Sequence, residues 1–280
     1  MAYGLQTTAL VASNALNNAN AAAAKASERI STTLRINSAA DDPTGMAIAT
    51  GLGANLKSYA AALTNANNAV SMNQTADTAL STIATYIADM QALAVSSASA
   101  SSTTTLDANE TSFAAYLAQI ESIASSTAFL GFNLLDGSNT SLDVQTGINA
   151  GDTTTLTFFN TSTSQLGSTD TLSNLDISSN SGADTAITVL AEALATIEGY
   201  QVQTGAQANI LAYQAALTTS NITTTTTAYG NIMDADVAAE TAALAAAQVQ
   251  QSSATAMLAQ ANKMRKEIVS YLLMGNVSFT

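Results

Sequence analysis

Small and apolar positions recur along the N-terminal part of the chain at alternating spacings of four and three residues. This alternation is typical of the seam of a coiled coil, where such side chains pack against a partner helix. We therefore predict a helix over about 10–34 with one such seam. Its positions are Leu16, Asn20, Ala23, Ser27, Ile30 and Leu34.

A helix-start signal follows at Asp42 and Pro43. An aspartate can cap a helix by accepting a backbone N–H, and proline suits the first helical position because the N–H that it lacks would have no partner there. We predict a second helix from this point to about Ser97. Its seam consists of Leu56, Tyr59, Leu63, Ala66 and Val70, followed by Leu80, Ile83, Ile87 and Met90.

The spacing of apolar residues changes in the middle of the chain. A turn over about 96–105 precedes a shorter helix, and strand-like alternation then begins at 142–144 and 153–158, which predicts a β-hairpin region over about 129–161. Residues from about 160 to 183 are rich in Ser, Thr, Asn, Asp and Gly, and this predicts an exposed loop. The shorter helix carries Phe113, Leu117, Ile120 and Ile123.

Helical spacing returns at about Gly182 with Ile187, Leu190, Leu194 and Ile197. Asp234 and Asp236 then open a last helix, because carboxylates suit the positive end of a helix dipole. That helix keeps the alternation of three and four for about four heptads. Its seam positions are Leu244, Ala247, Gln251, Ala254, Leu258, Ala261, Arg265, Ile268 and Leu272.

These patterns predict a mainly α fold, with long antiparallel helices in a bundle or coiled-coil rod and one small β-hairpin region. We expect a terminal helical domain from residues 1–42 and 234–280, and a second helical domain from 43–233. Seams on both terminal helices are too apolar to stand alone, so they require a partner: each other, or neighbouring subunits.

Charge and composition exclude several classes of function. The net charge is -13, and no Lys or Arg lies between Ser58 and Asn262, so a nucleic-acid binder is excluded for lack of cations to meet phosphates. The absence of His and Cys removes zinc sites and the usual nucleophile–base pairs, and we expect no cofactor and no enzyme activity. Polar residues interrupt every apolar window, so membrane insertion is not expected, and the first residues lack the basic region of a cleaved signal peptide.

The remaining candidates for chemistry have simpler explanations. Asp41 and Asp42 form the closest carboxylate pair, which a helix cap explains better than catalysis. Asp234, Asp236 and Glu240 lack the spacing and the glycine of a calcium-binding loop, so a capped helix start is again the better interpretation.

Three segments together resemble bacterial flagellin. Residues 26–49, ASERISTTLRINSAADDPTGMAIA, are close to the N-terminal signature of that family. Residues 132–137, FNLLDG, followed by VQTG at 144–147 and NAG at 149–151, are similar to its hairpin entry. Residues 232–241, IMDADVAAET, and the LAQAN run at 258–262 are similar to its C-terminal helix.

The resemblance implies a structural subunit that is exported without a cleaved signal and polymerises into the extracellular filament of the flagellum, as a short form without inserted outer domains. It implies an inner domain built from both ends, and partners that include further copies of the chain, an export chaperone, and hook-junction and filament-cap proteins. The expected assembly seam is Leu16, Ala23, Ile30, Leu34, Leu244, Leu258, Ala261, Ile268 and Leu272, and the expected inter-domain connection is Arg35, Ile36, Asn37, Asp41, Asp42 and Pro43.

One segment departs from the family pattern. In flagellins that the animal Toll-like receptor detects, the residues before a Leu-Ala-Val run are rich in arginine, whereas the matching positions here are Asp89, Gln91 and Ala92, followed by Leu93. This predicts poor recognition by that receptor. The alternatives left open are a hook–filament junction protein on the same architecture and, less favoured in a chain without histidine, an enzyme on a flagellin frame.

Overall fold

The structure is a computed structural model that describes the backbone of residues 2–275 and the side chains of residues 7–270. Over this range it contains five α-helices and two small antiparallel sheets. The helices are α1 (Ala2–Thr32), α2 (Pro43–Ala98), α3 (Thr103–Ser126), α4 (Asn180–Met233) and α5 (Val237–Gly275). The predicted mainly α fold is therefore confirmed.

Helix ends follow local capping chemistry. Asp42 accepts the backbone N–H of Gly45 at 2.9 Å, so α2 begins at Pro43 as predicted. At α5 the cap is Asp236, whose Oδ1 accepts the N–H groups of Ala238 and Ala239 at 2.9 and 3.1 Å. Asp234 lies outside this cap and instead pairs with Leu34 in an isolated antiparallel bridge.

Contacts divide the chain into two compact units. The terminal unit comprises Met1–Ala54 and Thr225–Thr280, and the central unit comprises Asn55–Thr224. The chain passes between them within α2 and α4, whereas the boundaries predicted at 42/43 and 233/234 coincide with helix ends. Capping residues and proline mark where a helix starts, but a helix can continue from one compact unit into another.

The two sheets are hairpins in the central unit. In the first, β1 (Ala128–Phe129) pairs with β2 (Phe132–Asn133) across a tight turn at Leu130 and Gly131, which have φ angles of 50° and 82°. Two consecutive positive φ angles are typical of a two-residue hairpin turn and favour glycine at the second position. In the second, β3 (Ser141–Gln145) pairs with β4 (Thr153–Thr157), with Leu142 opposite Leu156.

A large apolar core fills the central unit. It is built by the predicted faces of α2, α3 and α4 together with the hairpins. Asn73 on α2 is buried, and its side-chain amide donates to the backbone carbonyl of Thr204 on α4 at 2.7 Å. Because a buried polar group needs a hydrogen-bond partner, this bond favours one alignment of the two helices. The largest fully buried side chains include Phe113, Leu80, Ile83, Ile87, Met90, Ile120, Leu134, Leu135 and Leu156.

The segment predicted as an exposed loop over about 160–183 is only partly exposed. Its Leu166, Leu172, Leu175 and Ile177 are buried in the central core, and a short 3-10 helix spans Leu172–Asn174. The segment was predicted to be exposed because Ser, Thr, Asn, Asp and Gly dominate its composition, and the four apolar residues are scattered among them. The prediction of an exposed loop is therefore wrong for these four residues. The segment is a folded cover whose apolar side chains pack into the central core.

Three glutamates hold this cover to the helices. Glu121 of α3 accepts the N–H and hydroxyl of Thr163, both at 2.9 Å. Glu110 of α3 accepts the N–H of Ile177 at 2.7 Å. Glu192 of α4 accepts the N–H groups of Ser168 and Thr169 at 3.0 and 2.9 Å and the Thr169 hydroxyl at 2.7 Å.

Candidate assembly surfaces

The terminal helices α1 and α5 pack against each other in antiparallel fashion. Arg29 on α1 donates to Glu240 near the start of α5 at 3.0 Å, and Asn20 accepts from Gln251 further along α5 at 2.9 Å. The residue number falls along one helix as it rises along the other, which defines the antiparallel arrangement. Of the two partners that the sequence left open for the terminal seams, the structure shows the seams packed against each other.

Alanines form the buried part of this helix pair. They recur every seven residues on both helices, as Ala12, Ala19 and Ala26 on α1 and Ala247, Ala254 and Ala261 on α5, and each is at most 4% exposed. Small side chains at a helix contact allow the two backbones to approach closely. Each buried methyl contributes only about 1 kcal/mol, so the fully buried positions of the pair add little stability by themselves.

The predicted seam residues lie beside this alanine line. Leu16, Ala23 and Ile30 on α1, Leu34 just after it, and Leu244, Leu258 and Ile268 on α5 are half-buried, and Ala261 is buried. The side chain of Leu272 lies outside the described residues. The alternation of four and three also included Asn20 and Ser27, which are exposed, because the buried positions are their neighbours Ala19 and Ala26.

Several large apolar side chains on the terminal helices remain uncovered. Leu10 and Val11 on α1 and Val249 and Met257 on α5 are 55–67% exposed. They lie off the seam, so the periodicity that identified the seam did not identify them. An exposed apolar side chain of this size is ordinary when single, but four on one helix pair favour further packing partners.

The predicted inter-domain connection lies within the terminal unit. Arg35 donates its backbone N–H to the carbonyl of Met233 at 2.6 Å, and its guanidinium donates to the carbonyl of Ile232 at 3.2 and 2.7 Å. Ile36 is buried against Ala49 and Met233 in a small apolar cluster. The segment after α1 is thereby tied to the end of α4.

Aspartates shape the turn that leads into α2. Asp41 pairs with Lys25 at 2.8 Å and accepts the N–H groups of Asn37 and Ser38 at 3.2 and 3.1 Å. The hydrogen bond from Lys25, followed by that from Asn37, lowers the pKa of Asp41 from 3.8 to about 2. This carboxylate therefore organises a turn, and Pro43 begins the helix that follows.

Gly45 completes this turn. A Cβ on Gly45 would lie 2.5 Å from Asp42 Oδ2 and 2.7 Å from Ile36 Cδ1. Glycine is needed at this point because the capping carboxylate and the buried isoleucine both approach its Cα. Gly45 closes the DDPTG run at 41–45, which contains the only proline of the chain. A glycine so soon after a capping aspartate and a proline is the sequence signal that could have identified this close approach.

The receptor-segment equivalents lie on α2 in the central unit. Asp89 and Ala92 are exposed, Gln91 is half-buried, and Leu93 packs partly against the central core. An acidic side chain thus faces solvent at this part of the helix.

No group of three or more acidic side chains that could hold a metal ion occurs among the described residues. Within the same range, no helix is both long and apolar enough to cross a membrane.

Comparison with known proteins relates most of the chain to one family. A model of the bacterial flagellin N-terminal helical region matches residues 5–140, and a model of the bacterial flagellin C-terminal helical region matches residues 182–272. A flagellin of Serratia marcescens is 32% identical over 178 residues, which is 63% of this chain and 50% of the relative. A flagellin of Salmonella typhimurium LT2 is 37% identical over 145 residues, which is 51% of this chain and 29% of the relative. The chain thus spans half or less of the length of these curated relatives.

Solved structures show the same likeness. A Bacillus cereus flagellin superposes with a TM-score of 0.50 at 27% identity, over 55% of this chain and 88% of that chain. A putative flagellar hook-associated protein from Vibrio parahaemolyticus superposes with a TM-score of 0.59 at 16% identity, over 69% of this chain and all of that chain. At that identity the second likeness concerns the fold alone.

Proposed function

Since this chain belongs to the bacterial flagellin family, we propose that it is a structural subunit that self-assembles into the hollow helical filament of the bacterial flagellum and serves motility. The observation that carries the proposal is the terminal helix pair. Its fully buried positions are alanines, and it leaves Leu10, Val11, Val249 and Met257 uncovered. Packing against further copies would cover them.

The energetic argument is a comparison of magnitudes. Ordering a helical residue costs roughly 1–2 kcal/mol of backbone entropy, which an alanine seam offsets only in part. Full burial of a side chain such as Val or Met contributes about 1.5–3 kcal/mol more. Contacts between copies would therefore supply what the isolated pair lacks, and polymerisation would stabilise the ends of every subunit.

The hook–filament junction alternative is not favoured, because the two matching family models both describe flagellin regions and together cover residues 5–140 and 182–272. As a member of a family of structural proteins, the chain is expected to have no enzyme activity. We propose an extracellular location in the filament after export without a cleaved signal peptide. An export chaperone, hook-junction proteins and a filament-cap protein are the further partners that the resemblance suggests.

Seeded assembly of the purified chain tests the proposal. Electron microscopy should show long filaments, and Val249→Asp should raise the critical concentration roughly tenfold or more, because an unpaired carboxylate would enter an apolar contact. The matched control is Gln250→Asp, which adds the same charge at the adjacent, exposed polar position. A wild-type chain that forms no filaments would contradict the function, and equal assembly of the two variants would contradict the role of Val249.

A second proposal concerns the altered receptor segment. The exposed Asp89 would repel receptor carboxylates where recognised flagellins offer a cation, and losing charged hydrogen bonds at an interface costs about 2–5 kcal/mol, or roughly 30-fold to several thousand-fold in affinity. A reporter-cell dose response should show weak signalling by the wild-type monomer and a gain for Asp89→Arg/Gln91→Arg/Ala92→Glu. Strong wild-type signalling, or no gain, would count against it.

A further inference from the structure

The cover of the central unit is fixed at both ends by hydrogen bonds that involve no carboxylate. At its start the N–H of Thr161 donates to the carbonyl of Leu135 at 2.9 Å. At its end the side-chain amide of Asn180 donates to the carbonyl of Ala98 at 2.8 Å. The middle of the cover, residues 162–179, consists of turns, loop and one short 3-10 helix. It is therefore a segment that could leave the core while both of its ends stay attached.

Three carboxylates hold this middle part down. Glu110 and Glu121 of α3 and Glu192 of α4 together accept six N–H or O–H groups of the cover. A hydrogen bond to an ionised carboxylate is roughly twice as strong as one between neutral groups. Protonation of the three side chains would therefore weaken six bonds of the cover together.

No basic side chain is near enough to replace these bonds with an ion pair. The central unit has 13 carboxylates and one basic residue, Lys57, which lies about 60 Å along α2 from the end of that helix at Ala98. Protonation also relieves repulsion between carboxylates, but salt at about 0.15 M already screens most of it beyond roughly 8 Å. The other charged groups on the cover and the adjoining parts of the first hairpin, α2, α3 and α4 are Asp89, Asp107, Asp136, Asp170, Asp176, Asp184 and Glu198.

The apolar contacts of the cover do not suffice to keep its middle ordered. Burying one leucine offsets the backbone entropy of about one or two ordered residues. The four buried residues Leu166, Leu172, Leu175 and Ile177 thus offset about four to eight of the 18 residues from 162 to 179. The helices beneath have fully buried side chains of their own, so they do not depend on the cover in the same way.

Two pKa shifts agree with this arrangement. The Thr169 hydroxyl, and after it the N–H groups of Thr169 and Ser168, lower the pKa of Glu192 below its ordinary 4.5. Within the cover, the Asn174 side chain is the main cause that lowers the pKa of Asp170 below 3.8. A carboxylate with a lowered folded pKa stabilises the fold above its unfolded pKa, and this contribution is lost as the pH falls through the folded value. The folded cover therefore loses stability progressively below pH 4.5.

We propose that the cover is an acid-released lid: in acid, residues 162–179 leave the core as one segment while α2, α3 and α4 stay folded. Release would bring the four buried apolar side chains and the core surface beneath them into contact with solvent. The inference concerns the single chain, so it goes beyond the proposed function and does not depend on assembly.

Amide exchange in the wild-type monomer tests whether the cover leaves as one segment. The N–H of Leu172 donates to the carbonyl of Leu166 at 3.0 Å, and the N–H of Ser173 donates to that of Thr163 at 3.1 Å. Neither bond uses a carboxylate, so protonation reaches them only if the whole segment opens. Between neutral pH and about pH 3, protection at both amides, corrected for the intrinsic rate, should fall roughly tenfold or more. Protection at Ile87 in the buried face of α2 should fall less than about threefold. Unchanged protection at Leu172 and Ser173 would overturn the proposal.

A buried thiol tests the same release in a chain that has no cysteine of its own. Val189 of α4 is fully buried beneath the cover, since a Cβ on Gly167 would lie 2.9 Å from Val189 Cγ1. The reagent is 4,4'-dithiodipyridine, which reacts with thiols in acid. Between neutral pH and about pH 3, the rate for Val189→Cys, divided by that for the exposed Ala118→Cys, should rise roughly tenfold or more. The same ratio for Ala66→Cys, at a buried site of α2, should stay within about threefold.

Substitution of the glutamates shows whether they are the groups that respond to acid. In the Val189→Cys chain, Glu121→Gln/Glu192→Gln should raise the thiol rate already at neutral pH and flatten its pH dependence. The matched control Asp184→Asn/Glu198→Gln removes two charges at exposed sites of α4 and should leave the rate unchanged. Equal rates for the two double variants would overturn the proposal. Loss of helical circular dichroism together with the opening would also overturn it, because acid would then unfold the whole unit. If Val189→Cys does not fold, amide exchange in the wild-type chain decides.

Discussion

The terminal and central units are both built from long alanine-rich helices, but they bury different side chains. The central unit buries Phe113 and a large set of Leu, Ile and Met residues completely, whereas the terminal helix pair buries alanines at heptad spacing. Alanine favours the helix and permits close approach, yet it removes little apolar area from water. The central unit thus has a core of large apolar side chains, and the small buried side chains of the terminal pair agree with the proposal that this pair gains stability from neighbouring copies.

The largest expected effect is the loss of stability caused by a substitution in the central core. Phe113→Ala should lower the free energy of unfolding by about 3–5 kcal/mol, because the ring is fully buried and its removal leaves a cavity. Urea denaturation followed by circular dichroism measures this loss. The control Tyr213→Ala removes a ring that is 79% exposed, and it should change the unfolding free energy of the monomer by less than about 0.5 kcal/mol. Equal losses for the two variants would contradict the assignment of the core.

The next effect concerns the size limit at the terminal seam. Ala19→Leu should destabilise the α1–α5 pair by about 1–3 kcal/mol, because the position is 1% exposed and the close approach of the helices leaves no room for a larger side chain. Ala21→Leu makes the same change at an exposed position of α1. Helix content at the ends, followed by hydrogen exchange, and the critical concentration for assembly should change for the first variant only. A neutral Ala19→Leu variant would show that the seam is loosely packed.

An acid-sensitive effect is expected at the cover of the central unit. The hydrogen bonds from the Thr169 hydroxyl and then from the backbone of Thr169 and Ser168 lower the pKa of Glu192 below its ordinary 4.5. These bonds therefore stabilise the fold fully above pH 4.5, and the stabilisation is lost as the pH falls through the lowered pKa. Amide exchange at Ser168 and Thr169 should accelerate as the pH falls below 4.5, relative to the intrinsic rate.

Two carboxylate substitutions separate this effect from a general loss of charge. Glu192→Gln should accelerate exchange at Ser168 and Thr169 already at neutral pH, because the neutral amide is a weaker acceptor. Glu198→Gln removes the same charge at an exposed position further along α4 and should leave those amides protected. If both variants behave alike, the hydrogen bonds to Glu192 do not hold the cover.

The smallest expected effect is at the turn before α2 in the terminal unit. Lys25 is the main cause that lowers the pKa of Asp41 to about 2. The Asp41–Lys25 pair is solvent-accessible, so its contribution is small. The wild-type chain should melt slightly higher than Asp41→Asn at neutral pH. The difference should shrink as the pH falls below 3.8 and disappear below about 2, where the folded carboxylate is also protonated. A difference that is undiminished near pH 2 would assign the effect of Asp41→Asn to something other than its charge.

Most of the fold was predictable from the sequence. The seam of α2 is confirmed at Leu80, Ile83, Ile87 and Met90, and the cap at Asp42 with Pro43 starts the helix where expected. Strands β3 and β4 lie inside the predicted hairpin region. The likeness to flagellin inferred from three segments is confirmed by both family models. The roles assigned to the seam and to the connecting residues stay predictions.

The sequence alone could not show which residues of the candidate surfaces are buried and which are exposed. The alternation of four and three from Leu16 is compatible with either Ala19 or Asn20 in the seam, and only the partner helix decides that alanine is buried. The exposed apolar residues Val202, Ile210, Tyr213 and Leu217 of α4 likewise form a pattern that the sequence could equally have placed in the core, because the buried Leu211 lies on the other side of the same stretch.

The sequence by itself determined the starts of α2 and α5, the heptad spacing and the uneven charge, because caps depend on residues two or three apart and charge needs no partner. Tertiary structure alone decided which side of α4 faces solvent and which alanines meet between α1 and α5. It also decided that Glu110, Glu121 and Glu192 hold the cover of the central unit. These features join residues 23 to 67 positions apart, or lie on opposite ends of the chain. Burial and long-range hydrogen bonding are properties of pairs, and local spacing does not specify the second member of a pair.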